Sequence, residues 1–187
     1  DAQNYYFENE FKCYFRRLSI IDLNERSDQP FISDDGRFVI LFNGEIYNFK
    51  ILKKELINLG QKFRTKGDTE VLIKAFQVWG KKFIKKIRGM FSICIWDRKL
   101  KKFYAYRDRF GIKPLYYLKT DSYILFSSEI KPLLKYLKFN KINNSSLLGF
   151  FLKGQIENDK NTLFDKIKSL EPANYLISSK SRFTINT

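Results

Sequence analysis

Three short segments concentrate residue types that could act together on a small polar molecule: Arg17-Leu18-Ser19-Ile20-Ile21-Asp22, Phe42-Asn43-Gly44-Glu45-Ile46-Tyr47-Asn48 and Lys66-Gly67-Asp68-Thr69-Glu70. An arginine guanidinium grips an α-carboxylate through two parallel charge-assisted hydrogen bonds. An aspartate carboxylate accepts from an α-ammonium. An asparagine side-chain amide beside a freely exposed glycine N–H supplies two donors to one developing oxyanion. Together these groups offer a pocket for an amino acid and the electrostatic half of an amide hydrolysis. Taken singly, each segment has a plainer explanation: Arg17 as a charge on an edge strand, Asn43-Gly44 as a hairpin turn, Asp68 as a helix N-cap. None of them supplies a nucleophile.

The composition narrows the chemistry further. The chain has 187 residues and no histidine, which excludes a Ser-His or Cys-His pair and a His-ligated zinc within it. Cys13 and Cys94 make no CxxC pair and read as core thiols in a reducing compartment. There is no GxGxxG and no GxxxxGK[ST], so nothing within the chain cradles nucleotide phosphates, and no cofactor or metal is expected here. The longest unbroken apolar run, Phe38 to Phe42, is too short for a membrane span, and no leader pattern is visible. The net charge of +15 comes from 35 basic and 20 acidic residues, spread over nearly the whole chain. Its densest cluster, Lys81, Lys82, Lys85, Lys86 and Arg88, reads as a solvated surface, so neither nucleic acid nor membrane is an expected partner. A polyanion-binding domain stays open as a minor alternative.

The elements that would position the three segments follow from periodicity. Tyr5 to Phe7 and Phe11 to Ile21 read as two β runs around a polar turn. Phe38 to Phe42 suits a strand covered on both faces, with Asn43-Gly44 as a turn after it. Phe49, Leu52, Leu56 and Leu59 share one helical face, stopped by Gly60. A second helix starts at Asp68-Thr69, carries Val71, Leu72, Ala75, Phe76 and Trp79 on one stripe, and ends at Gly80. Strand patterns then follow at Met90–Trp96, Phe103–Arg107, Pro114–Leu118 and Tyr123–Phe126. Ser128 is placed to cap a short helix carrying Ile130, Leu133 and Leu134. Ser145–Lys153 and Leu163–Leu170 read as two more helices, and Tyr175–Ile177 as a strand. Short helices between a first set of strands and a longer antiparallel meander argue an α+β fold with layered sheets.

The strings RRLSIIDL, FNGEIYNF, GDTEVL, GMFSICIWD, RDRFGIKPLYY and SSEIKPLL occur here in that order. They resemble the glutaminase domain of glutamine-hydrolysing asparagine synthetases, class II amidotransferases of the N-terminal-nucleophile type, over essentially the whole chain. The resemblance implies a four-layer αββα sandwich of two antiparallel sheets. It implies an N-terminal cysteine that attacks the glutamine carboxamide with its own α-amine as base, which dispenses with histidine. The ammonia released would cross to a synthetase domain, where ATP and Mg serve the amidation of aspartate to asparagine. By motif match Arg17 would bind the glutamine α-carboxylate, and Leu18, Ser19, Ile20 and Ile21 would line the pocket. Asn43 and Gly44 would form the oxyanion hole, and Glu45 and Asp68 would hold the α-ammonium. Synthetases of this type are cytoplasmic and often homodimers through this domain.

Two departures bear on that reading. The family's Met-Cys-Gly opening corresponds to positions before Asp1, so the nucleophile and the first strand of the sandwich are expected outside this chain, as is the synthetase domain beyond Thr187. The 187 residues alone are accordingly expected to be poorly stable and without glutaminase activity. The alternatives are a non-catalytic glutamine-binding module or remnant, and an amidotransferase domain of a synthetase acting on another carboxylate.

Overall fold

The protein is described here from a computed structural model, in which residues 2–17, 28–154, 160–179 and 182–186 are described. Eleven strands and four α-helices are found among them. The chain opens with a two-stranded antiparallel ribbon, β1 (Ala2–Glu8) and β2 (Phe11–Arg17). Strands β3 (Phe31–Ile32) and β4 (Phe38–Ile46) lead into α1 (Phe49–Asn58) and α2 (Asp68–Trp79), and a 3₁₀ turn covers Gly80–Lys85. Then follow β5 (Gly89–Asp97), β6 (Lys102–Arg107), β7 (Tyr116–Lys119), β8 (Ile124–Ser127), α3 (Ile130–Leu134) and α4 (Asn144–Lys153). The last strands are β9 (Ile167–Ser169), β10 (Tyr175–Ser179) and β11 (Arg182–Asn186).

The strands form a six-stranded sheet in the order β11-β10-β6-β5-β4-β3, a three-stranded sheet β8-β7-β9, and the ribbon. Period-2 alternation sorts the large sheet's side chains onto two faces. Phe38, Ile40, Phe42 and Ile46 of β4 and Phe91, Ile93 and Ile95 of β5 pack against Leu52 and Leu56 of α1 and the apolar stripe of α2. On the opposite face Ala105, Cys94 and Leu176 meet Leu115, Leu170 and Phe126 from around the small sheet. The far face of the small sheet, through Leu118 and Ile167, takes Leu133 of α3. Helices, sheet, sheet and helix are the four layers of the expected αββα sandwich. The ribbon packs on the inner face of the large sheet, the face that also meets the small sheet: Phe11 stacks on Trp96 of β5 with ring centroids 5.3 Å apart.

Four local expectations are corrected. Asn43-Gly44 is no turn; both residues lie inside β4, paired with Ser92 and Phe91. Asp68 is the first residue of α2, and its N-cap is Gly67. The N-cap of α3 is Glu129, while the neighbouring Ser127 hydroxyl accepts from the Glu129 N–H. The segment 163–170 is not helical: Phe164 bridges Ile142, and Ile167–Ser169 pairs with β7. A short apolar run carries no period long enough to separate helix from strand, so the vacant edge of β7 decides it.

Candidate functional site

The site grows from one edge of β4. The β4–β5 ladder is antiparallel, so alternate residues of β4 turn their backbone groups toward β5 and the others away. At its two ends the Tyr47 N–H donates to Arg88 O at 2.8 Å and the Arg98 N–H to Arg37 O at 2.9 Å, which marks the odd-numbered residues as bonded to β5. Phe42, Gly44 and Ile46 therefore direct their N–H groups to the other edge, where β3 covers only Val39 and Ile40. Past β3 the side-chain amide of Gln29 takes over, accepting from the Phe42 N–H and donating to Phe42 O. Two residues further on, the Ile46 N–H donates to Asp68 Oδ2 at 3.1 Å. The Gly44 N–H lies between these two occupied positions and meets no acceptor among the described residues.

Only glycine fits at position 44. Its φ is +147°, and a Cβ there would stand 2.0 Å from Met90 O and 2.8 Å from Phe91 Cα. The close approach is mutual, since a Cβ on Gly89 would stand 2.1 Å from Glu45 O. Two glycines thus let β4 and β5 come together where the Gly44 N–H leaves the sheet edge.

The neighbouring side chains point to the sheet's inner face, away from the helices. Phe42 and Ile46 are in the helix-side core, so Asn43 and Glu45, one residue out of phase, project toward the side of the small sheet and the ribbon. Both are partly buried. Asp68 is 6% exposed. Burial pushes its carboxyl above the usual aspartate range, and nearby Glu45 adds to that, against the hydrogen bond from Ile46 that favours the ionised form. An added cation would stabilise both carboxylates. The start of α2 is built around a second carboxylate. Glu70, 1% exposed, accepts from the N–H of Arg64 and Thr65 and from the Thr65 hydroxyl, which ties the loop before the helix to its first turn.

Arg17 ends β2, its backbone paired with Ala2. The ribbon runs along β5: Phe11 lies on Trp96, and Cys13 is close enough to Cys94 to raise its proton affinity. From Phe11 to Cys13 the ribbon thus runs in the direction of the end of β5 that pairs with Asn43–Glu45. Leu18, Ser19, Ile20 and Ile21 lie outside the described residues. The structure therefore brings Asn43, Gly44, Glu45 and Asp68 together on adjoining positions, with Arg17 at the end of the ribbon strand that packs on β5.

Neither cysteine suits a nucleophile. Burial pushes both thiols up to about 12, and they are core groups between ribbon and sheet. Two contributors escape a reading of the sequence. Gln29 acts as a side-chain substitute for a strand, with nothing in its surroundings to announce it. Asp108, 1% exposed, accepts four backbone N–H groups, from Phe91, Phe110, Ile112 and Lys113, and so locks the residue that faces Gly44 to the loop after β6. Beside it Arg107 donates to Ser169 Oγ and Leu170 O and ties the large sheet to β9. The Asp-Arg-Phe-Gly run has residue types that favour a turn, but nothing local announces its tie to Gly44.

The sequence matches the glutamine amidotransferase domain family over residues 1–187. The chain belongs to that family. The amidotransferase domain is 40% identical over 181 residues to asparagine synthetase [glutamine-hydrolyzing] 2 of Bacillus subtilis, covering 94% of this chain and 24% of the relative. It is 37% identical over 185 residues to asparagine synthetase [glutamine-hydrolyzing] 1 of the same organism, covering 99% of this chain and 28% of the relative. The chain thus spans about a quarter of the length of these curated relatives. Among solved structures, glutamine phosphoribosylpyrophosphate amidotransferase from Bacillus subtilis, complexed with ADP and GMP, superposes with a TM-score of 0.64 at 19% identity, over 92% of this chain and 34% of that one. At that identity the superposition speaks for the fold. Among the described residues no helix is long and apolar enough to cross a membrane.

Proposed function

We propose that this amidotransferase domain supplies the glutamine-binding and oxyanion-stabilising half of a glutaminase site in an asparagine synthetase. The observation that carries the reading is the Gly44 N–H, directed off the β4 edge between Gln29 and Asp68, with the Asn43 and Glu45 side chains on the adjoining face. A carboxamide placed there would develop its oxyanion against the Gly44 N–H and the Asn43 amide. The α-ammonium would sit against Asp68 and Glu45, two neighbouring carboxylates of which Asp68 is buried without a cation partner among the described residues. The α-carboxylate would reach Arg17, with residues 18–21 lining the same pocket. The nucleophile implied by the family resemblance is a cysteine ahead of Asp1, and its α-amine would take the thiol proton. The ammonia would then serve a synthetase domain that activates aspartate with ATP and Mg, in a cytoplasmic protein, dimeric through this domain. ATP chemistry is assigned outside this chain, where no residue pattern suits it.

The test uses the complete polypeptide encoded by the gene that contains this chain, with ammonia release from glutamine as readout. Asn43→Ala is expected to lower kcat by about 100-fold or more, the usual cost of removing one oxyanion donor. Arg17→Ala is expected to act mainly on KM. Release that survives both substitutions unchanged would overturn the assignment.

A further inference from the structure

Helix α4 and the segment entering it present a surface that nothing described above uses. Residues 147–152 read Leu-Leu-Gly-Phe-Phe-Leu, so the helix is apolar nearly all round. Such a helix belongs to a buried environment. Yet none of its residues is buried: Leu148 is 58% exposed, and Phe151 and Leu152 are each 73% exposed. Tyr136 and Phe139 extend the patch at 58% and 86% exposed. The helix is well formed. Asn143 caps it by accepting from the Ser146 N–H at 3.1 Å, and its root is anchored where the Asn143 N–H donates to Leu163 O. Between Glu129 and Glu157 the sequence has no acidic residue and five lysines, Lys131, Lys135, Lys138, Lys141 and Lys153.

We propose that this face docks a second domain of the same polypeptide through an apolar surface rimmed by carboxylates; the proposal rests on the functional reading above. Three observations select that occupant. The two Bacillus subtilis relatives have most of their length outside the matched region, 24% and 28% of each being covered. An interface between domains of one chain buries about 600–1,500 Å², for which one apolar helix and its approach are a suitable core. A second copy would set five lysines against five lysines across a two-fold axis, which like-charge repulsion opposes. A membrane surface fits less well, because an interfacial helix carries its basic residues along a polar face and α4 has none.

The experiment is thiol protection in the complete polypeptide encoded by the gene. Phe151→Cys, and Lys99→Cys as an exposed reference on the β5–β6 turn, are labelled with a maleimide, and the rate at each position is read by peptide mass analysis so that native thiols, the proposed nucleophile included, do not enter it. The docked face predicts labelling of F151C at least ten-fold slower than K99C, at any protein concentration and without lipid. Equal rates would overturn the proposal. Protection lost on dilution would assign the face to a second copy, and protection gained only with phosphatidylserine vesicles would assign it to a membrane; either result overturns it. Leu148→Glu is expected to spare glutamine hydrolysis and reduce transfer of its nitrogen to the acceptor. Protection of F151C in a protein that hydrolyses no glutamine would leave the docking intact and sink the functional reading instead.

Discussion

Replacing Asp68 by asparagine separates the carboxylate's charge from its place in the fold. The hydrogen bond from the Ile46 N–H to Asp68 Oδ2 needs only an acceptor, and the asparagine carbonyl oxygen provides one. The negative charge is favoured also by the N–H groups of Asp68 and Thr69, but burial at 6% exposure outweighs them, with Glu45 adding to it. Its folded-state pKa is raised, so the folded protein binds more protons than the unfolded chain between the two values. That contribution to stability is present below the unfolded pKa and is lost as pH rises through the folded one. Near neutral pH the D68N variant is therefore expected to be at least as stable as the parent. Glutamine binding should move the other way. A charged hydrogen bond from an ammonium is worth about 1.5–3 kcal/mol, so affinity should fall roughly 10- to 100-fold. Titration calorimetry of the complete polypeptide with glutamine, its proposed cysteine nucleophile replaced by alanine to prevent turnover, measures this directly. In the parent, affinity should weaken as pH falls through the raised Asp68 value, at a higher pH than an ordinary aspartate would give, and D68N should lose most of that acid limb. A D68N variant that binds glutamine as tightly as the parent would refute the assignment of Asp68 to the ammonium. One that unfolds at neutral pH would refute the separation of charge from fold.

Two further substitutions test the supports of the site. Gly44→Ala puts a Cβ 2.0 Å from Met90 O at a φ of +147°, at the close contact of β4 with β5. The strain and overpacking should cost about 3 kcal/mol or more, seen as a lower urea midpoint, and an unchanged midpoint would show that β4 and β5 can part freely. Asp108→Asn turns one carboxylate oxygen into a donor, and each oxygen now serves two backbone N–H groups. Leaving two buried donors unmet should cost about 2–4 kcal/mol, or roughly 4–16 °C in Tm for a domain of this size. A thermal scan that finds D108N within a degree of the parent would mean the loop finds other acceptors.

Much of this protein is decided within short windows of sequence. The apolar stripes of α1 and α2 and the alternation in β5 and β6 are local patterns, and the structure follows them to within a residue or two. The four-layer architecture was legible through the motif resemblance, which also supplied the residues proposed for the site. Tertiary context decided the rest. Asn43-Gly44 looks like a turn in isolation, because a dipeptide that tolerates positive φ serves hairpins and close strand contacts equally. Only the backbone of Met90 and Phe91 across the ladder shows that this glycine is a contact. Segment 163–170 could not choose between helix and strand until β7 offered it an edge. Asp68 reads as a cap until the Ile46 N–H, twenty-two residues upstream, is found to claim its oxygen. Gln29 and Asp108 carry no local signal of what they hold, since a side chain standing in for a strand is defined by the strand it completes. Periodicity and residue type thus determine which elements form and what chemistry they could carry. Which backbone groups remain open for a ligand depends on partners distant in the chain, and only the folded sheet edge settles that.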